Sequence, residues 1–300
     1  EKYMLNATLR GDGSSRFAPD RRWGFFPSIG ASWLISDEAF MGGIKTISYL
    51  KLRASYGVLG NNALTSYFPY QTLLSTAYPD LDYPGIYLTD LGNPNVTWEK
   101  QGSFNVGVDF GILDERLTGS VEYFNKSTYD LLFKHPLVPS GGVPSFDENV
   151  GDVRNSGVEI SLGSRNFVKK SFTWNTDFNI TFLTNKITKL AQEQILDGAY
   201  KLEVGRPFFD FFIPTYAGVD PEDGNPMWYQ DELDANGNPT GNQITTKSYS
   251  AATRYYQGSA IPKVTGGLNN SFTYKAFDFS FLFNYSFGGK ILDQDYSSLM

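Results

Sequence analysis

The sequence predicts an all-β fold, about nine long antiparallel strands forming a segment of a transmembrane β-barrel. Three observations predict it. Apolar and polar residues alternate through nine stretches, the period of a strand, whose successive side chains leave on opposite faces. The connections between stretches are alternately short and long, so the long ones emerge at one end. Aromatics make up 16% of the chain and gather near both ends of the stretches, while charged residues, at 19%, fall below the roughly 25% of soluble domains.

Each strand is read from its alternation. The first, residues 2–10, sets Tyr3, Leu5, Ala7 and Leu9 against Asn6, Thr8 and Arg10. The second, 23–35, sets Trp23, Phe25, Pro27, Ile29, Ala31 and Trp33 against Ser28, Gly30 and Ser32. The third, 49–59, sets Leu50, Leu52, Ala54, Tyr56 and Val58 against Lys51, Arg53 and Ser55. The fourth, about 98–112, sets Phe104, Val106, Val108 and Phe110 against Ser103, Asn105 and Asp109. The fifth, 117–124, sets Leu117, Val121 and Tyr123 against Thr118, Ser120 and Glu122. The sixth, 156–163, sets Val158, Ile160 and Leu162 against Glu159 and Ser161. The seventh, 171–183, sets Phe172, Trp174, Phe178, Ile180 and Phe182 against Asn175, Asp177, Asn179 and Thr181. In the eighth, 263–274, Asn270 interrupts the face of Leu268, Phe272 and Tyr274. The ninth, 277–287, is the clearest: Phe277, Phe279, Phe281, Phe283, Tyr285 and Phe287 oppose Asp278, Ser280, Asn284 and Ser286.

The short connections are 113–116, about 164–170, and 275–276; the long ones are 60–97, 125–155 and 184–262. Segment 36–48 lies at the short end but is of medium length. Outer-membrane barrels have this asymmetry, with short periplasmic turns and long extracellular loops. Trp33, Phe172, Trp174, Phe272, Tyr274 and Phe277 fall near the short turns, and Trp23, Phe25, Tyr56, Tyr123, Tyr285 and Phe287 near the long loops. Two aromatic girdles suit the two interfaces of a bilayer. A soluble sandwich also alternates. Its strands average about 5–6 residues, however, and its solvent face carries more charge than the Ser, Asn, Thr and Gly found here. The charges that do occur, Arg10, Lys51, Arg53, Asp109, Glu122, Glu159, Asp177 and Asp278, share the polar face.

Composition excludes much else. With no cysteine and one histidine, His135, disulfides, thiolate sites and His-based catalytic or zinc clusters have nothing to build on. A net charge of −7 gives no nucleic-acid footprint. No apolar run reaches the ~18 residues of a membrane helix, which leaves barrel strands of about 9–11 residues open. The chain opens within a strand without an initiator Met or signal peptide, and ends on Ser298-Leu299-Met300 rather than an aromatic strand. It reads as a piece of something longer.

Several motifs have plain explanations. Arg10-Gly11-Asp12 spells an adhesion tripeptide but reads as a strand end entering a turn. Asp234-Ala235-Asn236-Gly237-Asn238 has the spacing of a calcium loop, yet Thr245 stands where the twelfth-position glutamate belongs; a hairpin turn between Met227-Trp228-Tyr229 and Gln243-Ile244-Thr245 explains it better. The adjacent acids Glu222-Asp223 and Asp231-Glu232 do not make the facing carboxylates of a glycosidase.

The segments Arg10-Gly11-Asp12-Gly13-Ser14-Ser15-Arg16-Phe17, Trp23-Gly24-Phe25-Phe26-Pro27-Ser28, Leu50-Lys51-Leu52-Arg53-Ala54-Ser55-Tyr56-Gly57 with Gly60-Asn61-Asn62, and Asn93-Pro94-Asn95-Val96-Thr97-Trp98-Glu99-Lys100 run in order along the chain, followed by Asn149-Val150-Gly151-Asp152-Val153-Arg154-Asn155-Ser156-Gly157-Val158-Glu159 and Pro262-Lys263 with Gly266-Gly267. Together they resemble the C-terminal barrel region of the SusC/RagA family of TonB-linked outer-membrane transporters of Bacteroidota. The resemblance implies that residues 1–300 are part of a barrel of about 22 strands with a plug that this piece lacks. It implies the outer membrane, with lipid bilayer and lipopolysaccharide around the wall, and import of an oligosaccharide or peptide. It also implies two partners, a SusD-like surface lipoprotein and the TonB complex. No enzyme activity, cofactor or metal is implied. A passive porin and a soluble carbohydrate-binding protein are the alternatives. The long loops carry Tyr67, Phe68, Tyr70, Tyr78, Tyr83 and Tyr87 in one, and Phe208, Phe209, Phe211, Phe212, Trp228 and Tyr229 in another. Tyr67, Tyr70, Trp228 and Tyr229 are the candidate substrate contacts. Against this, such loops also need aromatics for cores of their own.

Overall fold

The computed structural model describes residues 1–76, 85–137, 142–143, 145–293 and 295. Tyr78, Tyr83 and Ser298-Leu299-Met300 lie outside these. In chain order the strands begin β1 (Tyr3–Gly13), β2 (Trp23–Leu34), β3 (Ile47–Asn61), β4 (Leu73–Ser75), β5 (Tyr87–Asp90), β6 (Glu99–Ile112) and β7 (Leu117–Tyr129). Next come β8 (Leu132–Pro136), β9 (Ser145–Asn149), β10 (Asp152–Lys169), β11 (Phe172–Lys189), β12 (Gln194–Asp197), β13 (Tyr200–Glu203) and β14 (Asp210–Pro214). The last are β15 (Tyr216–Val219), β16 (Pro226–Leu233), β17 (Pro239–Thr246), β18 (Arg254–Ser259), β19 (Val264–Tyr274) and β20 (Phe277–Phe287).

Nine strands form one antiparallel meander, β1-β2-β3-β6-β7-β10-β11-β19-β20. It is an open sheet, with β1 and β20 as its edges. Its register gathers the alternation into rows. Tyr3, Trp33, Leu52, Val108, Val121, Ile160, Ile180, Gly266 and Tyr285 lie side by side across all nine strands. The next row, on the other face, is Met4, Ser32, Arg53, Gly107, Glu122, Glu159, Thr181, Thr265 and Ser286. A slip of one residue would exchange the two faces, so the register is fixed by what each face meets. The apolar face is bare: Leu5 is 75% exposed, Phe277 76% and Phe283 60%. A sandwich would have buried these rings under a second sheet; lipid does the same for a barrel wall.

The alternation of short and long connections is present as read. Segments 14–22, 62–98, 130–151 and 190–263 lie at one end, and 35–46, 113–116, 170–171 and 275–276 at the other. Two readings need correction and one gains detail. The β10–β11 connection is not 164–170 but the two residues Lys170 and Ser171, because β10 continues past a bulge between Arg165 and Phe167. The extra residue, Asn166, breaks the period of two and so disguises the strand. The medium-length segment 35–46 is compact: it holds two 3₁₀ turns, Ile35–Asp37 and Ala39–Met41. Its Glu38 accepts hydrogen bonds from Lys2 Nζ (3.4 Å), Tyr3 Oη (2.6 Å) and Trp33 Nε1 (3.1 Å), which hold its carboxyl below the usual range, the Tyr3 bond foremost. Val58, read as lipid-facing, packs instead against a loop core, because β2–β3 pairing stops at Ser28↔Gly57 and the strands part beyond it.

β10 and β11 each run 18 residues, nearly twice what crosses a bilayer. Their upper portions, with β7 to Tyr129, lie beyond the apolar belt. There Asn125, Ser156 and Thr184 take the positions that Leu, Val and Ile hold lower down. That loss of alternation is why the fifth and sixth strands read short from sequence.

Candidate functional site

The long connections fold into small structures of their own. Phe17, Phe26, Leu64, Val96 and Trp98 form one buried cluster, with Tyr70 and Leu132 packed against it. Phe17 and Phe26 each lie 5.3 Å from the Trp98 ring, and the Trp98 indole donates to the Arg22 carbonyl at 2.9 Å. Gly24 and Gly60 make room for Phe26: a Cβ on either would strike its ring. A second cluster, Val153, Ile187, Ile195 and Leu202, draws in Leu131, Phe133, Leu190 and Phe208.

Side-chain hydrogen bonds tie one connection to the next. Asn149 Nδ2 donates to the carbonyls of Thr97 (3.0 Å) and Asp130 (2.8 Å), and its Oδ1 accepts the Thr97 amide (2.8 Å). Arg16 Nη1 donates to the carbonyls of Asn62 (3.0 Å) and Leu64 (2.9 Å). These residues escaped the reading for function. The motifs that contain them were noted, but nothing in a sequence shows which loop a polar side chain will reach.

The four candidate contacts fall in two separate places. Tyr67 is 69% exposed, with the Arg16 guanidinium 4.9 Å from its ring centre. Tyr70, three residues on, is partly buried against the Phe17–Trp98 cluster. Trp228 and Tyr229 are consecutive on β16, so they leave on opposite faces of the sheet β15-β16-β17. The Trp228 ring sits edge-on to Tyr249 at 5.4 Å. The β16–β17 hairpin is present as read, and Asp234 Oδ1 already accepts the amides of Asn236 and Asn238, both at 2.9 Å.

Between connections 62–98 and 130–151 lies a polar recess of about 100 Å³, lined by Ser66, Thr89, Asp90, Lys134 and Asp147 among others. Burial pushes the Asp147 carboxyl up, Lys134 opposes the shift and Asp90 adds to it. The sheet β12-β13-β14-β18 carries a cation–aromatic stack. The Arg206 guanidinium lies 3.4 Å from the Tyr256 ring centre, Lys201 Nζ lies 4.8 Å from that of Phe212, and Tyr256 Oη donates to Glu203. Burial, then the Glu203 bond, push the Tyr256 phenol up to about 12. On the polar face of the wall, Arg53 bridges Asp109 at 3.1 Å and Glu122, and Glu122 pairs across strands with Glu159. Among the described residues no cluster of His, Asp or Glu is arranged to hold a metal ion.

One bare apolar face, one charged polar face and ordered loops at a single end define the wall of an outer-membrane β-barrel. The chain belongs to the TonB-dependent receptor β-barrel family: the model of that family, described as TonB dependent receptor-like, beta-barrel, matches residues 1–298. It is 35% identical to TonB-dependent receptor P3 of Formosa agariphila over 97% of this chain and 31% of that protein. It is 32% identical to TonB-dependent receptor SusC of Bacteroides thetaiotaomicron over 93% of this chain and 29% of that protein. Among solved structures it is similar to the RagAB peptide transporter, with a TM-score of 0.84, 29% identity and coverage of 96% of this chain and 32% of that one. The SusC/RagA resemblance read from the motifs is thereby borne out, and the chain is an outer-membrane protein. It spans about a third of the length of the curated relatives it matches. That family comprises receptors and transporters rather than enzymes.

Proposed function

We propose that residues 1–300 are the C-terminal part of the barrel domain of an active importer. The complete barrel has about 22 strands and encloses a plug, which the TonB complex displaces to admit cargo. The long loops face outward and bear a SusD-like lipoprotein as a lid. The cargo, an oligosaccharide or a peptide, is held between lid and loops, where Tyr67, Tyr70, Trp228 and Tyr229 contribute stacking surfaces. Lipopolysaccharide surrounds the outward end. No covalent chemistry is required, since capture needs only a difference in affinity between open and closed lid states. The observation that carries this reading is the one-sidedness of the loops together with their packed cores. Elaborate, ordered loops on one rim suit a receptor that grips its cargo.

Uptake by cells with and without the complete gene tests it. Loss of uptake of one class of glycan or peptide, restored by the gene but not in cells lacking TonB, is the expected result. Uptake that persists without TonB would make the protein a passive porin. Unchanged uptake of every glycan and peptide on deletion would remove the importer reading altogether.

A further inference from the structure

We propose that the short-turn rim of β7, β10, β11, β19 and β20 is a binding site for anionic phospholipid, of the phosphatidylglycerol type, in the leaflet at that end of the wall. The site rests on the orientation given above, with short turns toward the periplasm, and not on the cargo.

Three successive turns carry its cations. Arg116 closes the turn before β7, Lys169 and Lys170 lie at the β10–β11 turn, and Lys275 lies at the β19–β20 turn; all four are exposed. Backbone hydrogen bonds knit these turns together: Arg165 N to Arg116 O at 2.8 Å, and Lys275 N to Ser171 O at 3.0 Å. Strands lie about 4.8 Å apart, so successive hairpins set their cations roughly 10 Å apart, the scale of lipid headgroups. The ion pairs of the described residues engage other cations and leave these four unneutralised. The acids of these turns, Asp114 and Glu115, are fewer than the cations, and Asp114 is exposed two residues before Arg116. Glu115 packs over Gly111 and donates its amide to Ser48 on β3, and Asp278 belongs to the polar face, opposite Thr273. Lys275 is also held at φ 55°, where glycine is the relaxed choice. Its Nζ lies 5.3 Å from the ring centre of the outward-facing Tyr274.

Directly beside this charge is a surface for acyl chains. Phe167 stacks on Trp174 at 5.9 Å, Trp174 on Phe272 at 5.5 Å, and Phe272 meets Phe279 and Phe281, both at 6.2 Å. The ladder crosses four strands without a break. Its polar edges are already satisfied: the Trp174 indole donates to Asn270 at 2.9 Å, Thr176 Oγ1 donates to Asn270 at 2.7 Å, and Asn166 Nδ2 donates to Thr176 at 2.7 Å. Asn270 is 7% exposed, so the ladder offers hydrocarbon only rings. Cations in excess over acids, beside a continuous aromatic strip, match a lipid with an anionic head and two chains.

Each cation near an anionic surface strengthens binding roughly five-fold. The complete receptor, delipidated in detergent, would be titrated with phosphatidylglycerol and with phosphatidylcholine of the same chains, and bound lipid counted by native mass spectrometry. The wild type is expected to prefer phosphatidylglycerol by tenfold or more, the preference falling as salt rises. Replacing Arg116, Lys169, Lys170 and Lys275 together by Gln should bring the preference to parity while phosphatidylcholine binding and the heat-modifiable gel mobility stay unchanged. Replacing the three lysines by Arg should keep the preference, which a folding defect would not. Equal preference in wild type and Gln variant, or displacement of the lipid by millimolar inorganic phosphate, would overturn the site. A Gln variant that loses lipid A binding but keeps phosphatidylglycerol would place the rim in the opposite leaflet and overturn it too.

Discussion

The row from Tyr3 to Tyr285 and the cluster around Trp98 are both apolar, yet one is bare and the other sealed. Leu5 on the wall is 75% exposed, while Phe17 in the loops is 0% exposed. The wall is ordered by its backbone ladder and by lipid, which asks only that no polar group face it unpaired. The loops live in water and must remove apolar area from it, so they build cores. Period decides order in the first region and chance meetings of distant side chains decide it in the second.

The largest way to break this contrast is in the loops. Trp98→Ala removes the ring on which Phe17 and Phe26 converge, a change worth about 3–5 kcal/mol in a core. The damage should stay local. Proteolysis of connections 14–22 and 62–98 should accelerate, while the heat-modifiable mobility of the barrel holds. Loss of the barrel as well would mean that the two regions fold as one.

Next in size is a charge on the lipid row. Ile180→Lys places an ammonium among Ile160, Val121 and Gly266 and should cost about 2–4 kcal/mol in urea unfolding from liposomes. Thr181→Lys, one position along on the polar face, should cost almost nothing. Equal costs would mean that the face assignment is wrong.

The two regions were also unequally legible. Every wall strand could be read because bilayer and lumen impose a period of two, and even the flaw at Asn270 was visible as a polar residue on an apolar face. Asn166 was not, since a bulge shifts phase without changing composition. The loop-side ends of β7, β10 and β11 (residues 125–129, 152–155 and 184–189) were missed because beyond the bilayer both faces meet water and the alternation lapses. In the loops, abundance of aromatics was legible but not their division of labour: Tyr70 packs on a core while Tyr67 is exposed beside Arg16. The ties made by Arg16 and Asn149 depend on which connections meet, and that is set by the register of strands far along the chain.

A smaller effect sharpens the loop side. Asn149→Ala removes two hydrogen bonds that join connections 62–98 and 130–151 and a third, to Asp130, within the latter, and leaves the Thr97 amide without its partner. A cost of about 1–3 kcal/mol follows. It should appear as faster amide exchange at Thr97 and through β8–β9, with exchange in β6 below Gln101 unchanged. Asn149→Asp, which keeps the acceptor but not the donors, should fall between.

The smallest effect is one of pH. The Tyr256 phenol, pushed up to about 12 by burial and by its bond to Glu203, holds its proton more tightly folded than unfolded, where the ordinary value is about 10. A group with a raised folded pKa contributes stability that is complete below the unfolded value and is lost as pH rises through the folded one. Protection of β12, β13, β14 and β18 should therefore be level up to about pH 10 and fall between about 10 and 12. Tyr255 is also pushed up, by burial first, and Tyr3 donates to Glu38, so ultraviolet titration should show late phenols, Tyr256 among them. Tyr256→Phe should lower protection of this sheet at neutral pH, because the Glu203 bond is gone, and should remove one late phenol together with its share of the alkaline fall. Tyr3 on β1 is tied to Glu38 in the same way, but Tyr274 and Tyr285 on β19 and β20 bond no acid among the described residues, so protection of β10, β11, β19 and β20 should stay level over the same range. A parallel fall in β10, β11, β19 and β20 would trace the effect to general alkaline unfolding rather than to Tyr256.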